Sequence, residues 1–201
     1  MDAVRLRRLN RWQTESLKED LADLYVESSD TAAGEGYHDR QDFLRRLTDD
    51  VRRPGFAMLV AETTTLVGCA FGSPVGRDGS WWQGFDATLP RNIEQLTASG
   101  HVFAVTGIVV HPHQRDRDLA RRLQERLLVD HHASLGATLV PVADDAARAA
   151  FQSWGWQVIG EVHRPLDPGP AVLRTLVLPL GRRAATNPDG LAHNAGTQRP
   201  A

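Results

Sequence analysis

The chain of 201 residues is 41% hydrophobic, enough to fill one core, and its formal net charge of −2 gives no sign of an obligatory nucleic-acid partner. Its single cysteine, Cys69, excludes an internal disulfide framework and a cysteine-based zinc site. No apolar run reaches the ~18 residues of a membrane-spanning helix, and the first residues lack the apolar segment of a secretory signal. We therefore expect a soluble, cytoplasmic protein with no nucleic-acid or membrane partner.

The first half of the chain predicts a strand, two helices and a strand hairpin. Alternating apolar residues predict the strand at 3–9. Thr14 is a suitable cap for a helix that runs to about residue 26, and a second helix, 39–51, ends before Pro54. Two further strands, 56–62 and 66–72, are joined by three threonines as a hairpin. A glycine-rich loop at 73–87 and a short helix at 89–96 follow.

Residues 102–128 form the longest continuous pattern in the chain. The β-branched run at 102–110 predicts a buried central strand, which ends at His111-Pro112 because proline cannot donate to a sheet ladder. After a short polar loop, apolar residues recur at helical spacing from Leu119 onward. A strand that turns directly into a helix aims backbone N–H groups and the positive end of the helix dipole at one point. Such a point is a favourable site for phosphate.

Asp116 and Asp118 give this loop a second interpretation. Either carboxylate can cap the helix that begins at Leu119 and interact favourably with its dipole. A carboxylate that satisfies the helix N–H groups occupies the place of a phosphate, so the two interpretations exclude each other. The sequence alone leaves both open.

The last third of the chain continues the alternation of strands and helices. A buried strand is predicted at 137–142, and a helix at 146–154 opens at Asp144-Asp145 and ends at Gly155. Strands at 157–163 and 172–178 follow. This alternation predicts an α/β fold in which helices pack on the faces of a mixed sheet, with one domain over residues 1–180. Residues 181–201 are polar and rich in breakers, which predicts a disordered tail.

The strand, loop and helix at 102–128 resemble the coenzyme A site of the GNAT acetyltransferase superfamily. In that family a short apolar triplet precedes Arg/Gln-x-x-Gly-x-Gly/Ala, and the loop amides bind the pyrophosphate of acetyl-CoA. Here the triplet is 108–110, IVV, and the loop is 115–120, RDRDLA. Arg115 and Ala120 match the pattern, whereas Asp118 stands at the place of a glycine.

A second segment, DDAARAAFQSWGW at 144–156, is similar to the family's Asn-x-x-Ala-x-x-x-Tyr-x-x-x-Gly-Phe motif. Asp144 stands at the asparagine, Ala147 at the alanine and Phe151 at the tyrosine. The order of elements over residues 4–180 also resembles the family. The resemblance implies a mixed β-sheet that is splayed at its central strand and flanked by helices on both faces.

The function that this resemblance implies is an acetyl-CoA-dependent N-acetyltransferase. It would move an acetyl group to an amine of a small molecule, protein or peptide, as a monomer or homodimer and without a metal. The acceptor is not indicated, because the helices and loop that build the family's acceptor site carry no diagnostic charge cluster. The residues assigned to acetyl-CoA are Ile108, Val109, Val110, Arg115, Asp116, Arg117, Asp118, Leu119, Ala120, Arg121 and Asp144.

Three departures from the family pattern support a second hypothesis, a non-catalytic GNAT-like module that binds a partner. The glycine is replaced by Asp118, the tyrosine by Phe151, and the central strand carries Ala104, Val105 and Thr106 where a carboxylate would sit. Without the tyrosine hydroxyl, an acid from that position is excluded. The catalytic base is left unassigned, with water, Glu62, Glu161 or His111 as alternatives.

Overall fold

The computed structural model describes residues 3–29, 36–114, 118–166 and 169–181. The strands are β1 (Arg5–Leu9), β2 (Ala57–Glu62), β3 (Leu66–Pro74), β4 (Val102–Val110), β5 (Leu135–Pro141), β6 (Gln157–Leu166) and β7 (Gly169–Pro179). The helices are α1 (Arg11–Ser28), α2 (Gly36–Val51), α3 (Arg91–Ala98), α4 (Leu119–Asp130) and α5 (Asp145–Ser153), with a short 3₁₀ turn at Ser80–Trp82. Of the predicted residues, 30–35, 115–117, 167–168 and the predicted tail at 182–201 lie outside the described ranges.

The strands form one mixed sheet in the order β1-β2-β3-β4-β5-β7-β6. All neighbours are antiparallel except β4 and β5, which run parallel. A parallel pair needs a crossover connection, and α4 supplies it. The predicted α/β class, with a mixed sheet that splays at its central strand, is confirmed.

Helices cover both faces of the sheet because its strands alternate between two cores. On β2, Leu59 and Ala61 face the core that includes α4, whereas Met58 and Val60 face the core of α1 and α2. Each set is 2% exposed or less, which buries apolar surface on both sides of the strand. The sheet is therefore a rigid central layer on which loops at its edges are held.

The start of α1 differs from the prediction. Asn10, not Thr14, is the cap: its side chain accepts a hydrogen bond from Gln13 N, and the Gln13 side chain accepts one from Asn10 N, both at 2.9 Å. This reciprocal pair is a capping box. Thr14 lies one turn into the helix and is fully buried, and its hydroxyl donates to the Asn10 carbonyl oxygen at 3.0 Å. Thr14, the predicted cap, is therefore a buried residue of the helix interior.

Helix α3 and the β6–β7 hairpin differ from their predicted bounds. Helix α3 begins after Pro90, whose carbonyl accepts from Ile93 N and Glu94 N, so the helix starts later than the predicted residue 89. Strands β6 and β7 are longer than predicted and pair from Gln157 to Leu166 against Gly169 to Val177.

The central strand carries a β-bulge. Phe71 pairs with Gly107 and Gly72 with Val105, so Thr106 is the extra residue on β4. Both glycines are needed here: a Cβ on Gly107 would lie 2.2 Å from the Phe71 ring, and one on Gly72 would lie 2.0 Å from the Ala104 carbonyl oxygen. A bulge bends its strand and increases the local twist. The second half of β4 consequently turns away from β5.

In the described part of the chain, no helix is long and apolar enough to cross a membrane.

Candidate functional site

A cleft opens in the sheet where β4 and β5 separate. The two strands pair only from Val102–Leu135 to Ala104–Ala137, and beyond that point each continues with its other neighbour alone. The space between them is a cavity of about 240 Å³. Its walls come from α1, α2, α5, β3 and the two separated strands. They include Tyr25, Phe43, Arg46, Asp50, Phe71, Val105, Thr106, Gly107, Ile108, Val109, Thr138, Leu139, Val140, Pro141, Ala147 and Phe151.

Main-chain groups point into this cleft. His111 N donates to Val67 O, which belongs to β3, so by alternation Val109 and Gly107 also bond toward β3. The N–H and C=O groups of Ile108 and Val110 consequently face the opening. On the other wall, Leu180 N donates to Ser134 O, and the same alternation directs the main chain of Leu139 into the cleft. The separated strands thus offer donors and acceptors on both sides.

The point of separation is held by a side chain. The Thr138 hydroxyl donates a hydrogen bond of 2.8 Å to the Val105 carbonyl oxygen, and the pair is buried. This bond replaces the next ladder bond that parallel pairing would have made. It satisfies a carbonyl that would otherwise be buried without a partner.

The predicted triplet lies in this cleft. Ile108 and Val109 line the cavity, Val109 is buried at 6% exposure, and Val110 is half-buried on the α4 side. Their apolar side chains anchor the strand in the two cores. What they can offer a ligand is main chain, as the resemblance implies.

The first turn of α4 lies beyond the end of β4, after a loop of which residues 115–117 are outside the described ranges. Asp118 holds the cap position, but its carboxylate makes no capping hydrogen bond to the first turn, so the interpretation in which Asp118 caps the helix is wrong. Asp116, the other candidate cap, lies outside the described residues. It accepts instead from Arg121 Nη2 at 3.3 Å, and the Asp118 side chain is 63% exposed. Leu119 is fully buried and Ala120 half-buried, so they can contribute only main-chain groups here.

Asp144 and Phe151 bring α5 to the cleft. The Asp144 carboxylate caps the helix by accepting from Ala147 N at 2.9 Å, and Ala147 itself lines the cavity. Phe151 also lines the cavity and makes edge contacts with Trp154 and Trp156, at centroid distances of 5.3 and 5.2 Å. The position that carries a tyrosine in the family pattern is therefore at the cleft but has no hydroxyl.

Asp50 is a carboxylate at the cleft that the sequence analysis does not single out. It is the penultimate residue of α2, its side chain is only 14% exposed, and Arg53 Nε lies 3.1 Å from its Oδ1. Burial raises the pKa of Asp50, and the Thr106 hydroxyl and the charges of Arg53 and Arg46 offset only part of that rise. A carboxylate with a raised pKa in a cleft is suited to accept a proton. The sequence gives no sign of this role, because Asp49 and Asp50 look like an ordinary acidic pair near the end of a helix.

The other candidate bases lie elsewhere. Glu62 pairs with Arg7 at 2.6 Å, and this contact lowers the pKa of Glu62. Glu161 is on β6 and does not line the cleft. His111 Nε2 lies 3.2 Å from Glu27 Oε2 beyond the end of β4. Among the described residues, no cluster of three or more His, Cys, Asp and Glu side chains has the arrangement of a metal site.

Comparisons with known proteins point to one family. The sequence profile described as Acetyltransferase (GNAT) family matches residues 14–156. No curated protein matches the sequence.

Solved structures share the fold at low identity. The PaiA N-acetyltransferase from Thermoplasma acidophilum, solved with coenzyme A, is 11% identical with a TM-score of 0.53, covering 86% of this chain and 98% of that one. YncA from Salmonella typhimurium, solved with acetyl-CoA, is 16% identical with a TM-score of 0.51, covering 92% and 98%. The ribosomal-protein-S18-alanine N-acetyltransferase from Escherichia coli is 12% identical with a TM-score of 0.54, covering 92% and 98%.

Proposed function

The chain belongs to the acetyltransferase (GNAT) family, and from this premise we propose that it is an acetyl-CoA-dependent N-acetyltransferase. The observation that carries the proposal is the separation of β4 from β5, which directs the main chain of Ile108, Val110 and Leu139 into one cleft. A pantetheine arm is a chain of amides and needs such main-chain partners. Two relatives of the same fold were solved with coenzyme A or acetyl-CoA.

The bound thioester is placed by the second half of β4. The N–H of Ile108 is directed into the cleft next to the bulge, where it can donate to the thioester oxygen as negative charge develops. The first turn of α4 offers N–H groups and the helix dipole to the pyrophosphate. Arg121 adds a guanidinium there, and its Nε is buried with no partner among the described residues. Asp144 acts indirectly, because its cap holds α5 and Ala147 against the cleft.

The reaction needs one base. The amine nitrogen forms a bond to the acetyl carbonyl carbon, the carbon–sulfur bond breaks, and coenzyme A leaves as a thiolate. We assign the proton that the nitrogen loses to the Asp50 carboxylate, directly or through water. This group lines the same cleft as Ile108 and has a raised pKa. A positioned base contributes about 10²–10⁴-fold to such a step.

The leaving group receives no acid from α5. Phe151 lines the cleft and packs against Trp154 and Trp156, and its ring has no proton to offer. We expect the thiolate to leave unassisted or to be protonated by solvent. The consequence is an enzyme in which departure of the thiolate limits the rate.

The test is release of free thiol from acetyl-CoA in the presence of amines, followed with a thiol reagent and confirmed by the mass of the acetylated amine. The protein itself gives no background in this assay, because Cys69 is fully buried and burial raises the pKa of its thiol to about 12. Amine-dependent thiol release supports the proposal. Its absence across a broad amine panel, with acetyl-CoA demonstrably bound, would instead favour the non-catalytic module.

A further inference from the structure

A second cavity adjoins the cleft and is lined by two arginines. It has a volume of about 430 Å³ and shares Thr106 and Leu139 with the cleft, so the two meet at the bulge of β4. Its remaining walls come from the end of α2, the loop at 74–81 and the β6–β7 hairpin. Among its described lining residues, the only charged ones are Arg53 and Arg164.

Arg164 is held in this cavity by the chain around it. It lies on β6, and its Nη2 donates a hydrogen bond to the carbonyl oxygen of Trp81. The Trp81 ring packs at right angles to Trp82, whose Nε1 donates to Thr97 Oγ1 at 3.0 Å. The segment that orients the guanidinium is thereby fixed to α3. An oriented guanidinium loses less conformational freedom when it binds an anion.

Arg164 also lacks an anionic partner. Within the described residues Arg164 forms no ion pair with a carboxylate, and its Nε is buried without a hydrogen bond. Burial lowers the pKa of Arg164, and the nearby charge of Arg53 lowers it further. A half-buried cation next to a second cation is costly unless an anion joins them.

Arg53 connects this cation pair to the chemistry. Its Nε contacts the Asp50 carboxylate at 3.1 Å, and Asp50 faces the cleft where the thioester is proposed to lie. An acceptor with its anionic group on Arg164 and Arg53 would extend toward Thr106, so its amine would approach Asp50. Arg53 is already paired with Asp50, so the uncompensated charge among the described lining residues is that of Arg164, which favours an acceptor with an anionic group.

We propose that the acceptor is a small amine that also carries an anionic group, a carboxylate or a phosphate, which Arg164 binds with Arg53. This inference rests on the proposed acetyl transfer for its choice of an amine. The guanidinium fork suits either anion by paired hydrogen bonds. The acceptor class then excludes polyamines and the lysine side chains of basic peptides.

The experiment compares matched amines that differ only in the anion: β-alanine against β-alaninamide, and O-phosphoethanolamine against ethanolamine. Direct binding of each is measured by titration calorimetry, and kcat/KM is measured with acetyl-CoA. We expect the anionic member of a pair to be favoured by about 10- to 100-fold, as a hydrogen-bonded charge pair implies. Whether β-alanine or O-phosphoethanolamine gains more identifies the anion.

Arg164→Gln removes the charge and retains a donor for the Trp81 carbonyl. We expect this variant to lose the preference for anionic over neutral amines through a higher KM for the anionic amine. Its KM for acetyl-CoA should be unchanged. Arg77 is an exposed arginine of the neighbouring loop that does not line this cavity. Arg77→Gln is therefore the matched control and should change neither the preference for anionic amines nor the KM for acetyl-CoA. An Arg164→Gln variant whose loss is equal for anionic and neutral amines would indicate only a structural role and would overturn the inference.

The outcomes separate this inference from the proposed function. Equal use of anionic and neutral amines by an active enzyme overturns the inference alone, and so does a failure of every anionic amine to bind. Arg164-dependent binding of the anionic amines without any acetyl-CoA binding would support the anion site and overturn the acetyl transfer.

Discussion

The Thr138 hydroxyl donates to the Val105 carbonyl oxygen at 2.8 Å, at the position where β4 and β5 stop pairing. One side chain thus closes the end of the parallel ladder and defines where the cleft begins. The bulge at Thr106 lies next in sequence to the accepting carbonyl, so the bend of β4 and the closure of the ladder occur at one place.

Replacing Thr138 tests this closure. Thr138→Val keeps the shape but leaves the buried Val105 carbonyl without its donor, and we expect a loss of about 1–3 kcal/mol in the free energy of unfolding. Thr138→Ser retains the hydroxyl and should lose less. Urea denaturation measures both. Equal stabilities of the two variants would mean that this hydrogen bond does not stabilise the point where β4 and β5 separate.

Asp50→Asn tests the proposed base. We expect kcat to fall by about 10²–10⁴-fold, because the amide cannot accept the proton. Asp49→Asn, the exposed neighbour on the same helix, is the control and should leave kcat unchanged. A small effect in Asp50→Asn, no larger than that of the control, would remove Asp50 from the mechanism.

The raised pKa of Asp50 also fixes the sign of two pH dependences. Activity needs the ionised carboxylate, so kcat/KM should fall as pH drops through this raised pKa. The fall should occur at a higher pH than for an ordinary aspartate. A raised folded-state pKa contributes stability that is full below the unfolded-state pKa and lost as pH rises through the folded value. The Asp50→Asn variant should therefore keep its free energy of unfolding at neutral pH. Chemical denaturation of the variant measures this, and shows whether a loss of activity comes from unfolding.

Phe151→Tyr tests the missing acid. A hydroxyl at the cleft should raise kcat if departure of the thiolate limits the rate, with KM for acetyl-CoA unchanged. Phe85→Tyr, which adds the same hydroxyl to a half-buried ring outside the cleft, is the comparison. An unchanged kcat in Phe151→Tyr would show that another step is slow.

Asp118→Gly tests the charge at the start of α4. The Asp118 carboxylate repels phosphate and pairs with Arg121, so its removal should tighten acetyl-CoA binding and release that guanidinium. Glu125→Gln removes one negative charge from an exposed position further along the same helix and should change binding little. Equal affinities of Asp118→Gly and the unmodified protein would exclude the repulsion.

The sequence predicted what depends on local pattern. The β-branched run at 102–110 predicted both bounds of β4, and the helical spacing predicted the start of α4 at Leu119. The motif at 144–156 predicted α5 to within one residue at each end. Asp50, Arg53 and Arg164 escaped prediction because they meet only in three dimensions. Asp50 is on the last turn of α2, Arg53 follows two residues after the helix ends, and Arg164 lies on β6, so no spacing in the chain relates the first two to Arg164.

Capping was also hard to predict, because several side chains near a helix start can accept the same N–H groups. Thr14 and Asp118 both have suitable side chains, but Thr14 is buried one turn inside α1 and the Asp118 carboxylate contacts Arg121. Local propensity is overruled in both places by contacts with residues outside the cap.

The most direct measurement is calorimetric titration with acetyl-CoA of the unmodified protein, Ala147→Phe and Ala149→Phe. Ala147 lines the cleft and Ala149 is exposed on the same helix, so the first ring fills the cleft and the second does not. We predict saturable micromolar binding that is retained in Ala149→Phe and lost in Ala147→Phe. No binding by the unmodified protein at millimolar acetyl-CoA, or equal binding by Ala147→Phe, would contradict a cofactor held between β4 and β5.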